Sequence, residues 1–133
     1  SDAFFVMAYT NVGLSPDGGG SWSLSQALPR ALVSELLMSG ERIAAPRLHA
    51  LGVVNRLAPT GGALDEALAL AERLNGKAPN ALASIKDLMN DAPAASLHQH
   101  LAAERDHFVR NLHHANAGIG IEAFLAKVAP RYE

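Results

Sequence analysis

Residues 12–22 read VGLSPDGGGSW and lie between an apolar segment and the start of a helical pattern. The preceding residues 3–8 (AFFVMA) are short, aromatic and apolar, which predicts a buried strand. Pro16 fixes its own φ, and the glycine triplet at 18–20 widens the allowed backbone angles. Residues 13–20 are therefore predicted to form a loop, and the whole stretch predicts a strand–loop–helix unit.

The rest of the chain is predicted to be mostly helical. Apolar side chains recur at helical spacing between glycine and proline breakpoints, and Ser96 followed by Gln99 has the pattern of a capping box. Residues 53–57 (VVNRL) predict a short strand or extended segment. The fold class is therefore mostly α with a short β portion. Further helices are predicted over residues 29–39, 46–51, 64–74, 79–89, 96–112 and 117–128.

The strand at residues 3–8 has no obvious partner strand. A lone strand leaves its backbone N–H and C=O groups unpaired, so we expect the rest of a sheet to come from a preceding segment or another chain. The chain also lacks an initiator Met and opens directly into this apolar run, which favours a fragment or a processed chain. A free-standing helical binding module would not explain the strand.

Composition excludes several classes of protein. Of the 133 residues, 49% are hydrophobic and 18% are charged, which indicates a globular chain. The net charge of -2 offers no basic surface, so we expect neither nucleic acid nor an anionic membrane as a partner. The absence of cysteine excludes disulfides, zinc–thiolate sites and thiol nucleophiles, and fits a cytoplasmic protein.

The six histidines do not predict a metal site. His98 and His100 are two residues apart and do not share a helix face. His107 and His114 are seven apart and could share one, but no third ligand is evident. We interpret the histidines as surface or interface residues and predict no metal.

Three further blocks follow residues 12–22 along the chain: LLMSGERI at 36–43, ALGVVNR at 50–56 and GIEAFLAK at 120–127. Together the four blocks cover nearly the whole chain, and in this order they resemble the C-terminal part of the crotonase (enoyl-CoA hydratase/isomerase) superfamily. Residues 12–22 resemble the family's "PGAGGT" loop and its flanks. The other three resemble "LLLTGxxI", "AxxxGLVNxV" and "EGxxAFxEKRxPxF".

The resemblance implies an architecture. It makes the chain the C-terminal part of an α/β, ClpP-like spiral of ββα units, followed by a helical trimerisation region. Residues 1–60 would be the end of the spiral core, with the Asp17 glycine loop. Residues 61–133 would be a helical region for oligomerisation and CoA contact. The implied partners are an acyl-CoA thioester, the missing N-terminal half of the same enzyme, and copies of the chain in a homotrimer or hexamer.

Asp17 is the candidate catalytic residue. From the residues alone, Pro16-Asp17-Gly18 is ordinary turn chemistry. The resemblance changes this interpretation, because isomerase-like and dehalogenase-like members place a catalytic aspartate in a "PDxGG" loop. A carboxylate beside an acyl chain can shuttle a proton between carbons. The resemblance also implies that the loop residues Gly13, Leu14 and Pro16 contact the substrate.

Tyr9 stands where the resemblance places a hydratase glutamate, in a "PE" pair that activates water. Here the pair reads Ala8-Tyr9, which argues against water addition by two glutamates and favours a one-carboxylate isomerisation. Tyr9 would then line the substrate pocket, either with a chemical role or by shape alone. Trp22 is a second candidate for the acyl pocket, with a core tryptophan at a helix start as the alternative.

Phe124 and Lys127 match family positions that contact the adenine and phosphates of CoA. A lysine is a suitable point charge for a phosphate. The alternative is an apolar helix face for Phe124 and a solvated Lys127.

Taken together, these residues predict an acyl-CoA-binding enzyme of fatty or aromatic acid catabolism, inactive as an isolated piece. Carboxylate-mediated isomerisation by Asp17 is favoured over hydration. We predict no cofactor, with coenzyme A present only as part of the substrate. In the resemblance, an oxyanion hole of two backbone N–H groups from the N-terminal half stabilises the thioester enolate. The alternative is a non-catalytic oligomerisation or remnant domain.

Overall fold

The computed structural model describes residues 2–132, which are mostly helical and divide into two compact units. The first unit ends at Leu68 and the second begins at Ala69, within one helix. The assignment of separate roles to residues 1–60 and 61–133 stays a prediction. The elements are β1 (Phe4–Val6), a 3-10 helix (Ala8–Val12), α1 (Gly20–Ala27), α2 (Arg30–Ser39), β2 (Arg42–Ala44), α3 (Ala45–Ala50), α4 (Ala63–Asn75), α5 (Pro79–Asp91), a 3-10 helix (Ala92–Ala94), α6 (Leu97–Leu112) and α7 (Ala115–Ala126).

The strand at the start of the chain does have a partner. β1 pairs antiparallel with β2, with Phe5 opposite Ile43. The guanidinium of Arg42 lies 4.1 Å from the centre of the Phe4 ring, a cation–π contact across the pair. The expectation of a lone strand was therefore wrong. Three residues at 42–44 are too few to show a strand pattern in the sequence.

Of the two alternatives predicted for residues 53–57, a short strand or an extended segment, the strand is wrong. The backbone N–H groups of Val53 and Val54 both donate to the carbonyl of Leu48, at 2.9 and 3.3 Å. The chain therefore wraps back onto α3 instead of extending into a ladder. The short helix before it is confirmed, with Gly52 just beyond its end at a φ of 80°.

Proline and glycine set the helix boundaries of the first unit. Leu28 is extended, as expected for a residue before proline, and Pro29 precedes the first residue of α2. The helical pattern around Pro29 is thus two helices. α2 ends at Gly40, whose φ of 62° is left-handed, as the glycine in the sequence predicted.

A small apolar core joins α1, α2, β2 and α3. Leu32, Leu37 and other half-buried side chains pack around it. Its buried members are Leu28, Val33, Leu36, Ile43 and Leu48. The core places the end of α2 beside the segment that follows β1, which fixes the base of the candidate site.

The second unit packs α5 against α6 and α6 against α7. The predicted capping box is confirmed, since the Gln99 backbone N–H donates to Ser96 Oγ and the Ser96 N–H donates to Gln99 Oε1 at 2.9 Å. α7 runs two residues earlier than predicted, because Lys127 adopts left-handed angles and ends it well before Pro130. No helix within residues 2–132 combines the length and apolar content that a bilayer crossing needs.

Side-chain amides connect the three helices of the second unit. Asn80 on α5 donates to Asn111 on α6 at 2.8 Å, and Asn111 donates to Ser84 at 2.9 Å. Asn116 on α7 donates to Asn80, also at 2.9 Å. Ser84 and Asn116 are buried, so these hydrogen bonds satisfy polar groups that would otherwise be costly to bury.

Leu36→Ala should lower the free energy of unfolding by about 2–5 kcal/mol, because it removes a core side chain that is 7% exposed. Met38→Ala, on the same helix but 76% exposed, is the matched control and should change stability by less than about 1 kcal/mol. Urea unfolding followed by circular dichroism measures both. Equal effects would contradict the proposed core.

Candidate active site

The short 3-10 helix Ala8–Val12 carries Tyr9. It ends at Gly13, whose φ of 74° is left-handed. The Leu14 N–H donates a hydrogen bond to the Tyr9 carbonyl at 3.0 Å. Met7 lies two residues before Tyr9 and Thr10 directly follows it. The side chain of each lies beside a glycine.

Two glycines allow this close packing. A Cβ at Gly20 would lie 2.7 Å from Met7 Cε. A Cβ at Gly40 would lie 3.1 Å from Thr10 Oγ1 and 3.0 Å from Asn11 Oδ1. A larger residue at Gly20 would force the Met7 side chain to move, and one at Gly40 would force the side chains of Thr10 and Asn11 to move.

Asp17 occupies the first position of a tight turn. The Gly20 N–H donates to the Asp17 carbonyl at 3.1 Å, and the two central residues, Gly18 and Gly19, have φ values of 58° and 81°. Positive φ at both central positions is the geometry of a type I′ turn, which glycine adopts without steric cost. α1 then begins at Gly20. The predicted loop is confirmed.

The two elements bring Tyr9 and Asp17 into contact. The Tyr9 hydroxyl donates to Asp17 Oδ1 at 2.8 Å, although the residues are eight apart in sequence. The pKa of Tyr9 is raised above its ordinary value of 10.0, chiefly by this hydrogen bond and then by the negative charge of Asp17 and by burial. The Asp17 backbone amide acts in the opposite direction. The phenol therefore stays protonated at neutral pH.

The other residues predicted to contact substrate lie on the loop that follows the 3-10 helix and on α1. Gly13 and Leu14 are exposed on the loop, and Pro16 is half-buried. Trp22 is 66% exposed on the first turns of α1, so it is not part of this chain's core. The structure thus brings Tyr9 and Asp17 together, and whether any of these residues binds substrate stays a prediction.

An apolar cavity of about 270 Å³ lies in the first unit beside the Asp17 turn. Its position was not predicted, because residues 3–8 are continuously apolar and no alternation marks the side that faces the cavity. Met7 and Gly20 line it and are near Tyr9 and Asp17 in sequence, but neither Tyr9 nor Asp17 is a lining residue. The other lining residues are Phe5, Val6, Ser23, Leu24, Leu36, Glu41, Ile43, Leu48 and Val53.

Phe124 and Lys127 lie at the end of α7 in the second unit. Phe124 is 80% exposed. Lys127 has φ 56° and ψ 39°, left-handed angles that a residue with a Cβ adopts at a cost. Within residues 2–132, Lys127 is the one residue other than glycine that has a positive φ. An exposed aromatic ring and a cation at a helix end are thus available to a ligand.

Within residues 2–132, no group of three or more His, Asp or Glu side chains is placed to hold a metal ion. α6 ends at Leu112, so His107 and His114 do not share a helix as the spacing had allowed. Instead, the His114 ring precedes α7 and accepts a hydrogen bond from the Asn116 N–H at 3.2 Å.

Gly19→Ala should lower the free energy of unfolding by about 1–2 kcal/mol, because alanine must adopt the left-handed angles of the Asp17 turn. No atom lies within 4 Å of the added Cβ, so the cost is conformational. Gly118→Ala is the control: it also meets open space, but within α7, and should stabilise by up to about 1 kcal/mol. Opposite signs in urea unfolding support the turn, and equal signs contradict it.

Solved structures of known proteins closely match this fold. An enoyl-CoA hydratase from Polaromonas sp. JS666 is 66% identical, with a TM-score of 0.96, and the match covers 98% of this chain and 51% of that one. An enoyl-CoA hydratase from Mycobacterium tuberculosis H37Rv is 32% identical with a TM-score of 0.94, over 99% of this chain and 52% of that one.

Curated relatives match over a similar extent. A carnitinyl-CoA dehydratase from Salmonella typhi is 31% identical over 133 residues, which are 97% of this chain and 51% of the relative. The chain thus spans about half the length of the curated relatives it matches. The match to the enoyl-CoA hydratase/isomerase family itself runs over residues 1–133. The chain therefore belongs to the enoyl-CoA hydratase/isomerase family and corresponds to its C-terminal part.

Proposed function

We propose that this chain supplies the catalytic base, Asp17, of an enzyme that moves the double bond of an acyl-CoA thioester. The observation that carries the proposal is the Tyr9–Asp17 contact of 2.8 Å. The contact joins one carboxylate to a phenol at the glycine turn, and Gly20 of that turn lines an apolar cavity. The position of the hydratase glutamate in the resemblance is taken by that phenol.

The chemistry needs one base and no net proton. The Asp17 carboxylate removes a proton from C2 of a 3-enoyl thioester, and the C2 electron pair forms a dienolate with the thioester carbonyl. The same carboxyl group returns the proton to C4, so that the double bond moves from C3 to C2. General acid–base catalysis of this kind typically contributes 10²–10⁴-fold.

The enolate oxygen needs preorganised donors, because negative charge develops there in the transition state. In the family resemblance, two backbone N–H groups of the N-terminal half supply them. We therefore propose that activity requires such a half together with this chain. We call this chain, preceded by an N-terminal half, the complete enzyme. That half is either its own or the half of the Polaromonas relative, which is 66% identical over the shared part.

The acyl group would occupy the apolar cavity of about 270 Å³, which Met7 and Gly20 line beside Asp17. Gly13, Leu14 and Pro16 would contact the substrate from the loop, and Trp22 would border the acyl group. This arrangement suits an unbranched or aromatic acyl chain from fatty or aromatic acid catabolism.

Phe124 and Lys127 would bind the CoA moiety, the ring against adenine and the ammonium beside a phosphate. The left-handed backbone of Lys127 supports this role, because a residue with a Cβ is retained there at a cost in stability. Coenzyme A would enter only as part of the substrate. Assembly as a homotrimer or hexamer through the helical region, in the cytoplasm, completes the proposal.

Addition or removal of water is a second candidate, because the matched curated relatives are named carnitinyl-CoA dehydratases. Water addition needs a base that deprotonates water. A phenol with a raised pKa, as at Tyr9, is protonated at neutral pH and does not provide one. The products separate the candidates: isomerisation of a 3-enoyl-CoA gives a 2-enoyl-CoA, and hydration gives a 3-hydroxyacyl-CoA.

Asp17→Asn in the complete enzyme should lower kcat by about 10²–10⁴-fold, because the amide cannot take the proton. Binding of acyl-CoA, measured by calorimetry, should be nearly unchanged. Conversion of 3-enoyl-CoA is followed by the ultraviolet absorbance of the conjugated product. Asp87→Asn, an exposed aspartate on α5, is the control and should behave as the parent. Normal turnover by Asp17→Asn would favour the alternative of a non-catalytic oligomerisation domain.

Lys127→Gly should separate the ligand role of this residue from its backbone cost. Glycine accepts the left-handed angles, so the free energy of unfolding should rise by up to about 1 kcal/mol. Loss of the exposed charge should weaken CoA binding by about two- to fivefold. Lys127→Ala keeps the backbone cost and should lose the same affinity without the gain in stability. Unchanged CoA affinity in both variants would contradict a phosphate contact.

A further inference from the structure

The Tyr9 phenol and the Asp17 carboxylate meet with a defined geometry. The Tyr9 hydroxyl donates to Asp17 Oδ1 at 2.8 Å, and no side chain or backbone N–H of residues 2–132 donates to Asp17 Oδ2. A carboxylate with one oxygen held has one oxygen left to take a proton. The contact therefore distinguishes two oxygens that free rotation of the side chain would exchange.

The segment that carries Tyr9 lies beside two glycines. The Met7 side chain lies against Gly20, and the Thr10 and Asn11 side chains lie against Gly40. Gly20 also closes the Asp17 turn by its hydrogen bond to the Asp17 carbonyl. Gly20 therefore contacts the segment that carries the phenol and belongs to the turn that carries the carboxylate. Catalytic groups need support of this kind to stay within about 0.5 Å of their productive positions.

We propose that Tyr9 is a positioning residue for the proton transfer: its hydroxyl holds Asp17 Oδ1 so that Oδ2 faces the acyl chain. The inference rests on the proposed function, since it assumes that Asp17 is the base. The proton from C2 goes to Oδ2 and leaves from Oδ2 to C4. The Tyr9 O–H keeps its own proton throughout, so Tyr9 neither gains nor loses one.

The protonation of Tyr9 supports this division of roles. The hydrogen bond to Asp17 and the negative charge of Asp17 raise the Tyr9 pKa, and burial adds to them. The helix that packs against the 3-10 helix, α2, carries Arg30 and Glu35, and neither contributes to the shift. Because the folded-state pKa is raised, the phenol donor is fully present below the ordinary value of 10.0 and is lost only as pH rises through the raised value.

Tyr9→Phe tests the inference, because it removes the hydroxyl and keeps the ring. In the complete enzyme it should lower kcat by about ten- to a hundredfold, the cost of a misplaced catalytic group, with KM nearly unchanged. The fall in kcat above pH 10, where the parent loses the donor, should be absent from the variant. Tyr132→Phe alters the other tyrosine of the chain and should match the parent in kcat, KM and pH profile.

A double-variant cycle separates positioning from a structural role. If Tyr9 acts through Asp17, Tyr9→Phe should cause no further loss of kcat in the Asp17→Asn background. An equal loss in both backgrounds, or a parent-like kcat in Tyr9→Phe alone, overturns the inference while the proposed function stands. Normal turnover by Asp17→Asn overturns the proposed function instead.

A second measurement does not depend on turnover. In the complete enzyme every tyrosine contributes to the ultraviolet absorbance of tyrosinate, so the difference between the titrations of the parent and of Asp17→Asn isolates the tyrosine that Asp17 affects, Tyr9. Its titration midpoint should lie above the ordinary value in the parent and fall when Asp17→Asn removes the charge. An unchanged midpoint overturns the inference, even if Tyr9→Phe fails to fold.

Discussion

Gly18 and Gly19 both have positive φ, and the turn they form reverses the chain between Asp17 and the first residue of α1. Side chains with a Cβ pay about 1–2 kcal/mol for each such position, so the turn depends on glycine. The turn sets the direction in which the Asp17 carboxylate leaves the backbone. It also brings Gly20 beside the side chain of Met7, two residues before Tyr9. The geometry of the candidate site therefore combines a backbone constraint at the turn with the hydrogen bond between Tyr9 and Asp17.

The features that the sequence predicted well are those with a local cause. Ser96 with Gln99 forms the capping box, and Gly40 ends α2, because caps and glycine conformations depend on neighbours along the chain. The pairing of β1 with β2 joins residues about forty apart and involves three residues on each side, too few for a periodic signal. The strand that was one of two alternatives at residues 53–57 is wrong for a related reason, since Val53 and Val54 pack against the core that includes Leu48 of α3.

The candidate site was predicted by position and not by contact. Asp17 and the glycine turn stand out in the sequence, and so does the replacement of a glutamate by Tyr9 in the resemblance. The hydrogen bond between them was not predictable, because it depends on a five-residue 3-10 helix closed by Gly13. That helix falls where the sequence predicted the end of a strand. A helix of five residues is too short to show a periodic pattern in the sequence, and this one lies beside Gly40.

The choice between proton transfer and water addition depends on how a phenol at position 9 differs from a carboxylate as a base. A carboxylate at position 9 would be charged at neutral pH and would accept a proton from water. The Tyr9 phenol has a raised pKa, so it remains a donor and has no capacity to accept that proton. Beside Asp17 it can orient a base but cannot act as a second one. Under the proposed function, the replacement therefore leaves one base for the reaction, which is enough to move a proton from C2 to C4.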